Sequence, residues 1–160
     1  MSDACAVNFG VSQIVDLLPD PAFALDRQGR VILWNKAMER LTDIPAGAVL
    51  GKDNYEHALP FYGCRRPMLA DAIINPDQKL DIEQPMQYRD DGSLVFEGEI
   101  FSRITQRQRS ITAHASPIHD PLGAVIGAMQ TMRDITERRQ VEQALVESEE
   151  KFRLLFESSG

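Results

Sequence analysis

Cysteine, positive charge and long apolar runs are all scarce in this sequence of 160 residues. Cys5 and Cys64 are too few for a disulfide framework, so both thiols are expected to be reduced. With 17 basic and 24 acidic residues, the net charge of -7 repels a phosphate backbone and argues against nucleic-acid binding. Apolar stretches such as residues 124–129 fall far short of the roughly 20 residues that span a bilayer. Because residues 1–10 also lack a signal-peptide pattern, we expect a cytoplasmic protein whose first ten residues are flexible and which does not contact a membrane.

The order of the predicted elements favours an α+β domain. Apolar residues at helical spacing predict a short amphipathic N-terminal helix over residues 11–18. Alternating residues around turn chemistry predict a hairpin at 22–35, and short helices follow up to residue 75. Three more alternating stretches and a final helix complete the chain. Strands grouped in this way favour an antiparallel sheet over an alternating α/β fold.

The final predicted helix resembles a coiled-coil strand. No Gly or Pro occurs from Thr136 to Glu157, and the apolar residues recur at steps of four and three. The seam consists of Val141, Leu145, Phe152 and Leu155, with Ser148 at one position. Dense charge off the seam is typical of a solvated face, so we expect a homodimer formed through this helix. A helix packed back on its own sheet is the alternative.

Asp134, Ile135 and Thr136 join the last predicted strand to this helix without a loop. Asp134 or Thr136 can accept hydrogen bonds from the first N–H groups of the helix, and Asp134 also faces the positive end of the helix dipole. Capping explains the residue types. It does not by itself explain why a sheet is coupled directly to an intermolecular seam.

The chain from about residue 11 to residue 145 resembles a PAS domain, the bacterial sensory module, followed by its signalling helix. Several pieces occur in the order typical of that family: the strand at 23–26 with its turn at Gly29, Asn35 opening the first helix, Gly51, the Gly-x-Val-Ile-Gly hairpin at 123–127, and the Asp134-Ile135-Thr136 triplet. Asp43 departs from the pattern, because the family usually has Gly there. A positive φ is expected at this position, and Asp tolerates it moderately well.

The resemblance implies a five-stranded antiparallel sheet with helices on one face and a ligand pocket between them. It divides the chain into a sensory domain at 11–134, a signalling helix at 135–157 and a tail at 158–160. In the family, the triplet ties the last strand to the domain, which gives Asp134, Ile135 and Thr136 the role of signal relay to a downstream output domain. Residues 148–160 resemble the start of a second PAS domain, so we expect a fragment of a multidomain signalling protein such as a sensor histidine kinase or a diguanylate cyclase.

The pocket residues of this family come largely from the region between residues 52 and 75. Here the candidates are Tyr55, His57, Tyr62, Arg65 and Arg66. Two adjacent guanidinium groups match the oxygens of a small anionic or carboxylate ligand. The alternative is that both arginines are solvated or pair with acids such as Asp53 or Asp71.

Cofactor binding is not expected. Cys64-Arg65 is similar to the flavin-binding motif of light-sensing PAS relatives, but the preceding Asn and the following Phe-Leu-Gln are missing. His57 lies where haem-binding relatives carry a ligand, yet its neighbours do not match. His114 and His119 have no third residue at metal-ligand spacing, so no metal site is expected.

The sequence indicates a regulatory module rather than an enzyme. Glu97 and Glu99 lie about 7 Å apart on one strand face, but they alternate with apolar residues as solvent-facing side chains do. The final helix has no histidine, so it is not the phosphoacceptor helix of a kinase. Any catalytic activity of the parent protein would lie outside this segment. A ligand-free interaction and dimerisation module is the first alternative function, and a flavin or haem sensor is the second.

Overall fold

The computed structural model describes residues 10–80 and 86–158. The strands are β1 (Ala22–Asp26), β2 (Val31–Trp34), β3 (Met86–Tyr88), β4 (Leu94–Ser102), β5 (Arg107–His119) and β6 (Val125–Asp134). They form one antiparallel sheet in the order β2-β1-β6-β5-β4-β3. The helices are α1 (Val11–Val15), α2 (Lys36–Thr42), α3 (Ala46–Val49), α4 (Leu59–Tyr62), α5 (Leu69–Ile74) and α6 (Thr136–Ser158), and a 3-10 turn at Glu56–Ala58 precedes α4.

Within the part of the chain that the structure describes, the sheet has six strands, one more than the predicted five. The additional edge strand β3 pairs with β4 from Met86 opposite Phe96 to Tyr88 opposite Leu94. The three residues of β3 that the structure describes are largely exposed, so they show no apolar alternation. The α+β class, the antiparallel sheet and the terminal helix are as predicted. The N-terminal helix is shorter than the predicted 11–18.

Asn35 organises the first helical segment, as predicted. Its Oδ1 accepts hydrogen bonds from the N–H of Met38 at 2.9 Å and of Ala22 at 3.0 Å, which caps α2 and joins it to β1. Its Nδ2 donates to the carbonyl oxygens of Val15 and Asp20. This buried amide therefore fixes α1, β1 and α2 relative to one another.

The C-terminal end of α2 shows the predicted departure from the family pattern. Asp43 has a φ of 59° and its N–H bonds to the Glu39 carbonyl oxygen. Its left-handed conformation confirms the positive φ expected there.

The core lies between the inner face of the sheet and α2 to α5. Phe23, Leu25 and Met38 are fully buried at its centre. Strands β1 and β6 approach so closely that a Cβ at Gly127 would lie 2.3 Å from the Leu25 carbonyl oxygen. The second glycine of the Gly-x-Val-Ile-Gly stretch is thus required by backbone contact.

Helix α6 extends away from the sheet. The four apolar seam residues are exposed: Val141 to 65%, Leu145 to 59%, Phe152 to 63% and Leu155 to 68%. They are not packed on the chain's own sheet, which contradicts the alternative of a helix folded back. The predictions for Cys5, for a flexible segment at 1–10 and for a tail at 158–160 fall almost entirely outside the described residues.

Candidate functional site: an apolar cavity beside the strand–helix junction

A cavity of about 270 Å³ lies between the inner face of the sheet and the segment that carries α4 and α5. Its apolar wall is formed mainly by Met68, Leu69, Phe96, Ile100, Ile111, Ala113 and Met132. Since β4, β5 and β6 all contribute, occupancy of the cavity would bear on three adjacent strands.

Gln130 brings a polar group to the cavity from the middle of β6. It is 2% exposed, and its Oε1 accepts a hydrogen bond of 3.0 Å from the N–H of Ala70. This bond satisfies an amide in the first turn of α5, where helical N–H groups lack partners within the helix. Gln130 thus links the sheet to the helical wall.

Tyr62 and Arg66 lie at the cavity as a stacked pair. The Arg66 Cζ is 4.2 Å from the centre of the Tyr62 ring, a cation–π contact. Burial raises the pKa of the Tyr62 hydroxyl, although the positive charge of Arg66 acts in the opposite direction. Of the five predicted pocket residues, these two line the cavity.

Arg65 points away from the cavity. Its Nη1 lies 2.7 Å from Glu56 Oε2 and donates to the Asn54 carbonyl oxygen at 2.9 Å. The predicted site in which two adjacent guanidinium groups hold one anion is therefore not formed. The acidic partner of Arg65 is Glu56 and not Asp53 or Asp71.

His57 is fully buried and pairs with Asp71 outside the cavity wall. Nε2 lies 2.8 Å from Asp71 Oδ2, which also accepts a hydrogen bond from the Met68 N–H at 2.9 Å. Phe23 packs on the imidazole with the ring centres 5.1 Å apart. The contacts give His57 a structural role, because they fasten the 3-10 turn to the start of α5.

Tyr55 lines a separate polar groove together with Asp53 and Asn75. Its hydroxyl donates to Gln78 Oε1 at 3.3 Å. Within residues 10–80 and 86–158, no group of three His, Cys, Asp or Glu side chains could hold a metal ion. In the same ranges, no helix is both long enough and apolar enough to cross a membrane.

The strand–helix junction is tied to β5 through Ser110. The Ile135 N–H donates to the Ser110 carbonyl oxygen at 2.8 Å, and the Ser110 N–H donates to Thr136 Oγ1 at 2.9 Å. Asp134 Oδ1 accepts from the Thr136 N–H at 2.9 Å, as the capping prediction requires. The Thr136 hydroxyl, by contrast, accepts from Ser110 of the neighbouring strand and donates to Asp134 Oδ1, so it does not cap the helix.

Further contacts fix the junction. Asp134 Oδ2 lies 3.0 Å from Arg109 Nε, and Ile135 is 3% exposed. Arg139, in the first turns of α6, donates to Glu97 Oε1 of β4 at 2.8 Å. Glu97 faces solvent, as predicted, and it also holds the helix to the sheet.

The cavity and the junction are adjacent on the same strands. Ile111 lines the cavity and directly follows Ser110, and in the sheet it stands opposite Asp134. Met132 lines the cavity two residues before Asp134. A shift of this part of the wall would therefore reach the hydrogen bonds at Ser110 through one or two residues of strand.

Comparison with known proteins identifies the class to which this architecture belongs. Residues 15–140 match the family described as PAS fold, and the chain belongs to that family. The predicted family is thereby confirmed. No curated protein sequence matches the chain.

Solved structures share this fold at low sequence identity. The PAS domain of BvgS from Bordetella pertussis is 23% identical with a TM-score of 0.52, and the match covers 87% of this chain and 94% of that one. An RNA-binding light-oxygen-voltage receptor is 17% identical with a TM-score of 0.53, covering 89% of this chain and 38% of that one. The VqmA dimer of Vibrio cholerae is 18% identical with a TM-score of 0.51, covering 82% and 53%. At such identities, the likeness concerns the fold alone.

Proposed function

We propose that this PAS-fold chain is a sensory module that binds a small molecule in the cavity and relays its presence along α6 to an output domain. The observation that carries the proposal is the adjacency of Ile111 to Ser110 and of Met132 to Asp134. The side chains of Ile111 in β5 and Met132 in β6 would contact the ligand, and the adjacent residues Ser110 and Asp134 hold the start of α6. The output domain, such as a histidine kinase, would lie in another segment of the parent protein.

The relay requires two arrangements of strand and helix that bind the ligand with different affinity. A ligand that separates Ile111 and Met132 from α5 would favour the arrangement with the wider cavity. Because Ser110 both accepts from Ile135 and donates to Thr136, that change would alter the direction in which α6 leaves the sheet. A ligand that fits both arrangements equally would produce no signal.

The exposed seam of α6 supports a homodimer. Apolar side chains at steps of four and three are typical of helices that pair in a coiled coil. In a dimer of this kind, a change in the exit direction of α6 would be passed on as a change in how two helices pack. The module would then be regulatory, with no catalytic step of its own. The cytoplasmic location remains a prediction from the sequence.

A second candidate is an interaction module whose cavity stays empty. The same exposed seam favours it, since dimerisation through α6 needs no ligand. Native mass spectrometry of the purified chain, with an absorbance spectrum of the same sample, separates the two functions. A dimer carrying an additional small-molecule mass supports the sensor. A dimer without additional mass that also fails to take up small molecules supports the interaction module, and visible absorbance would indicate a flavin or haem.

A further inference from the structure

Two arginine side chains line the cavity. Arg66 and Arg103 belong to its lining, and no Asp or Glu does among the residues that the structure describes. This is unusual for a chain with 24 acidic and 17 basic residues. Because like charges disfavour a cationic ligand, the Arg103 guanidinium favours an anion over an amine at its end of the cavity.

Arg103 reaches this position because residue 63 is a glycine. Gly63 follows α4 with a φ of 71°, and a Cβ there would lie 2.5 Å from Arg103 Cζ. The guanidinium thus lies against the glycine backbone, which brings the tip of the β4–β5 hairpin to the end of α4. Gly63 is a positioning residue for Arg103, because any side chain at this place would displace the guanidinium.

The rest of the lining is suited to an apolar body. Phe96, Ile111 and Met132 offer ring and aliphatic surface, while Gln130 already bonds to Ala70 through its Oε1. The volume of about 270 Å³ exceeds the ~150 Å³ of an engineered apolar cavity that takes up benzene. A single-ring compound with one polar group fits this space.

We propose, building on the proposed function, that the cavity binds an amphipathic carboxylate, with its apolar body on Phe96 and Ile111 and its carboxylate on Arg103. Planar guanidinium groups donate two parallel hydrogen bonds to a carboxylate, and such charged bonds are about twice as strong as neutral ones. Arg103 takes the ligand-binding role that was predicted for Arg65, whose guanidinium pairs with Glu56. The ring of Tyr62 holds the Arg66 guanidinium at the cavity wall beside this position.

Calorimetric titration of the full chain with three single-ring probes tests this assignment. The probes are benzoate, the neutral benzyl alcohol and phenyl phosphate. We expect benzoate to bind about tenfold more tightly than benzyl alcohol, and Arg103→Gln to remove most of that preference without weakening benzyl alcohol. Gly63→Ala should act in the same direction. Arg107→Gln is the control, because Arg107 lies opposite Ser102 on the same hairpin but does not line the cavity.

The other possible results contradict the carboxylate site, the ligand class or the ligand-binding cavity. Equal affinity for benzoate and benzyl alcohol, or an unchanged preference in Arg103→Gln, would overturn the carboxylate site and leave the sensory cavity standing. Tighter binding of phenyl phosphate than of benzoate would replace carboxylate by phosphate as the ligand class. If none of the three probes bound at millimolar concentration, both the carboxylate site and the ligand-binding cavity would be refuted.

Discussion

Ser110 and Thr136 are joined across the strand–helix junction by a hydrogen bond of 2.9 Å from the Ser110 N–H to the Thr136 hydroxyl oxygen. Both residues are buried, and the next residue after Ser110 lines the cavity. This bond places the start of α6 within one residue of the cavity wall. The junction is therefore part of the domain and not only the end of its last strand.

Thr136→Val should destabilise the domain by about 1–3 kcal/mol, because it leaves the buried Ser110 N–H without its acceptor. Urea denaturation measures the loss. Thr105→Val, in the exposed β4–β5 turn, is the matched control and should change stability by less than about 0.5 kcal/mol. A Thr136→Val protein as stable as the control would show that this bond does not hold the junction.

Asp134→Ala should uncouple input from output while the domain remains folded. The substitution removes the acceptor of the Thr136 N–H and the partner of Arg109, but the Asp134 side chain is 40% exposed, so the stability cost should be only about 1 kcal/mol. The measurement is the output of the full-length protein with and without its native signal. Asp134→Asn, which keeps an acceptor oxygen, should retain part of the response. A normal response in Asp134→Ala would refute the relay role of this residue.

His57→Leu should destabilise the domain by about 3–5 kcal/mol. The substitution leaves the Asp71 carboxylate buried beside an apolar side chain, with only the Met68 N–H as a partner. The double variant His57→Leu/Asp71→Asn should recover part of the loss, because it removes the buried charge. Thermal and urea unfolding of the three proteins provide the comparison. If the single variant were as stable as the wild type, the pair would not be a structural element.

The ionised Asp26 carboxylate should stabilise the folded domain at neutral pH, and this stabilisation should be lost in acid. Burial raises the pKa of its carboxyl, but hydrogen bonds from the Arg30 backbone and side chain and from the Gln28 N–H outweigh this and leave the pKa below its ordinary value of 3.8. A carboxyl whose pKa is lowered by folding stabilises the folded state above the pKa of the unfolded chain. Its contribution is therefore complete above pH 3.8 and is lost as the pH falls through the lower folded value.

Asp26→Asn tests this dependence. Unfolding curves from neutral to acidic pH should show the variant less stable than the wild type at neutral pH, with a difference that shrinks below pH 3.8. A constant difference over the whole range would mean that the charge of Asp26 does not matter.

The local features of the fold could be predicted from the sequence because their causes are local. Asn35 is an amide directly before a helical pattern, and Asp43 stands where the helix must turn. The seam of α6 follows from spacing alone, and its exposure agrees with the surrounding charge. Strand β3 was missed because three largely exposed residues carry no periodic signal.

The cavity could be predicted only in part, because its wall comes from strands far apart in the chain. Tyr62 and Arg66 belong to the predicted segment, whereas Arg103 depends on the path of the β4–β5 hairpin and on the space above Gly63. The side chain of Arg65 is directed by Glu56, which sequence spacing does not reveal. Gln130 could have been identified from the sequence as a cavity residue, since it is a polar residue at an inward position between Ala128 and Met132.

In the proposed relay, the contents of the cavity act on the start of α6. Ala113 lines the cavity wall, so Ala113→Leu partly fills the cavity and imitates a bound ligand, while Ala124→Leu in the exposed β5–β6 turn is the control. The most direct measurement is hydrogen exchange of the Ile135 and Ser110 amides in the wild type and both variants. We predict that Ala113→Leu changes protection at both amides and that Ala124→Leu does not. If Ala113→Leu changed exchange around Leu69 and Ala70 but left Ile135 and Ser110 as in the wild type, the proposed relay would be contradicted.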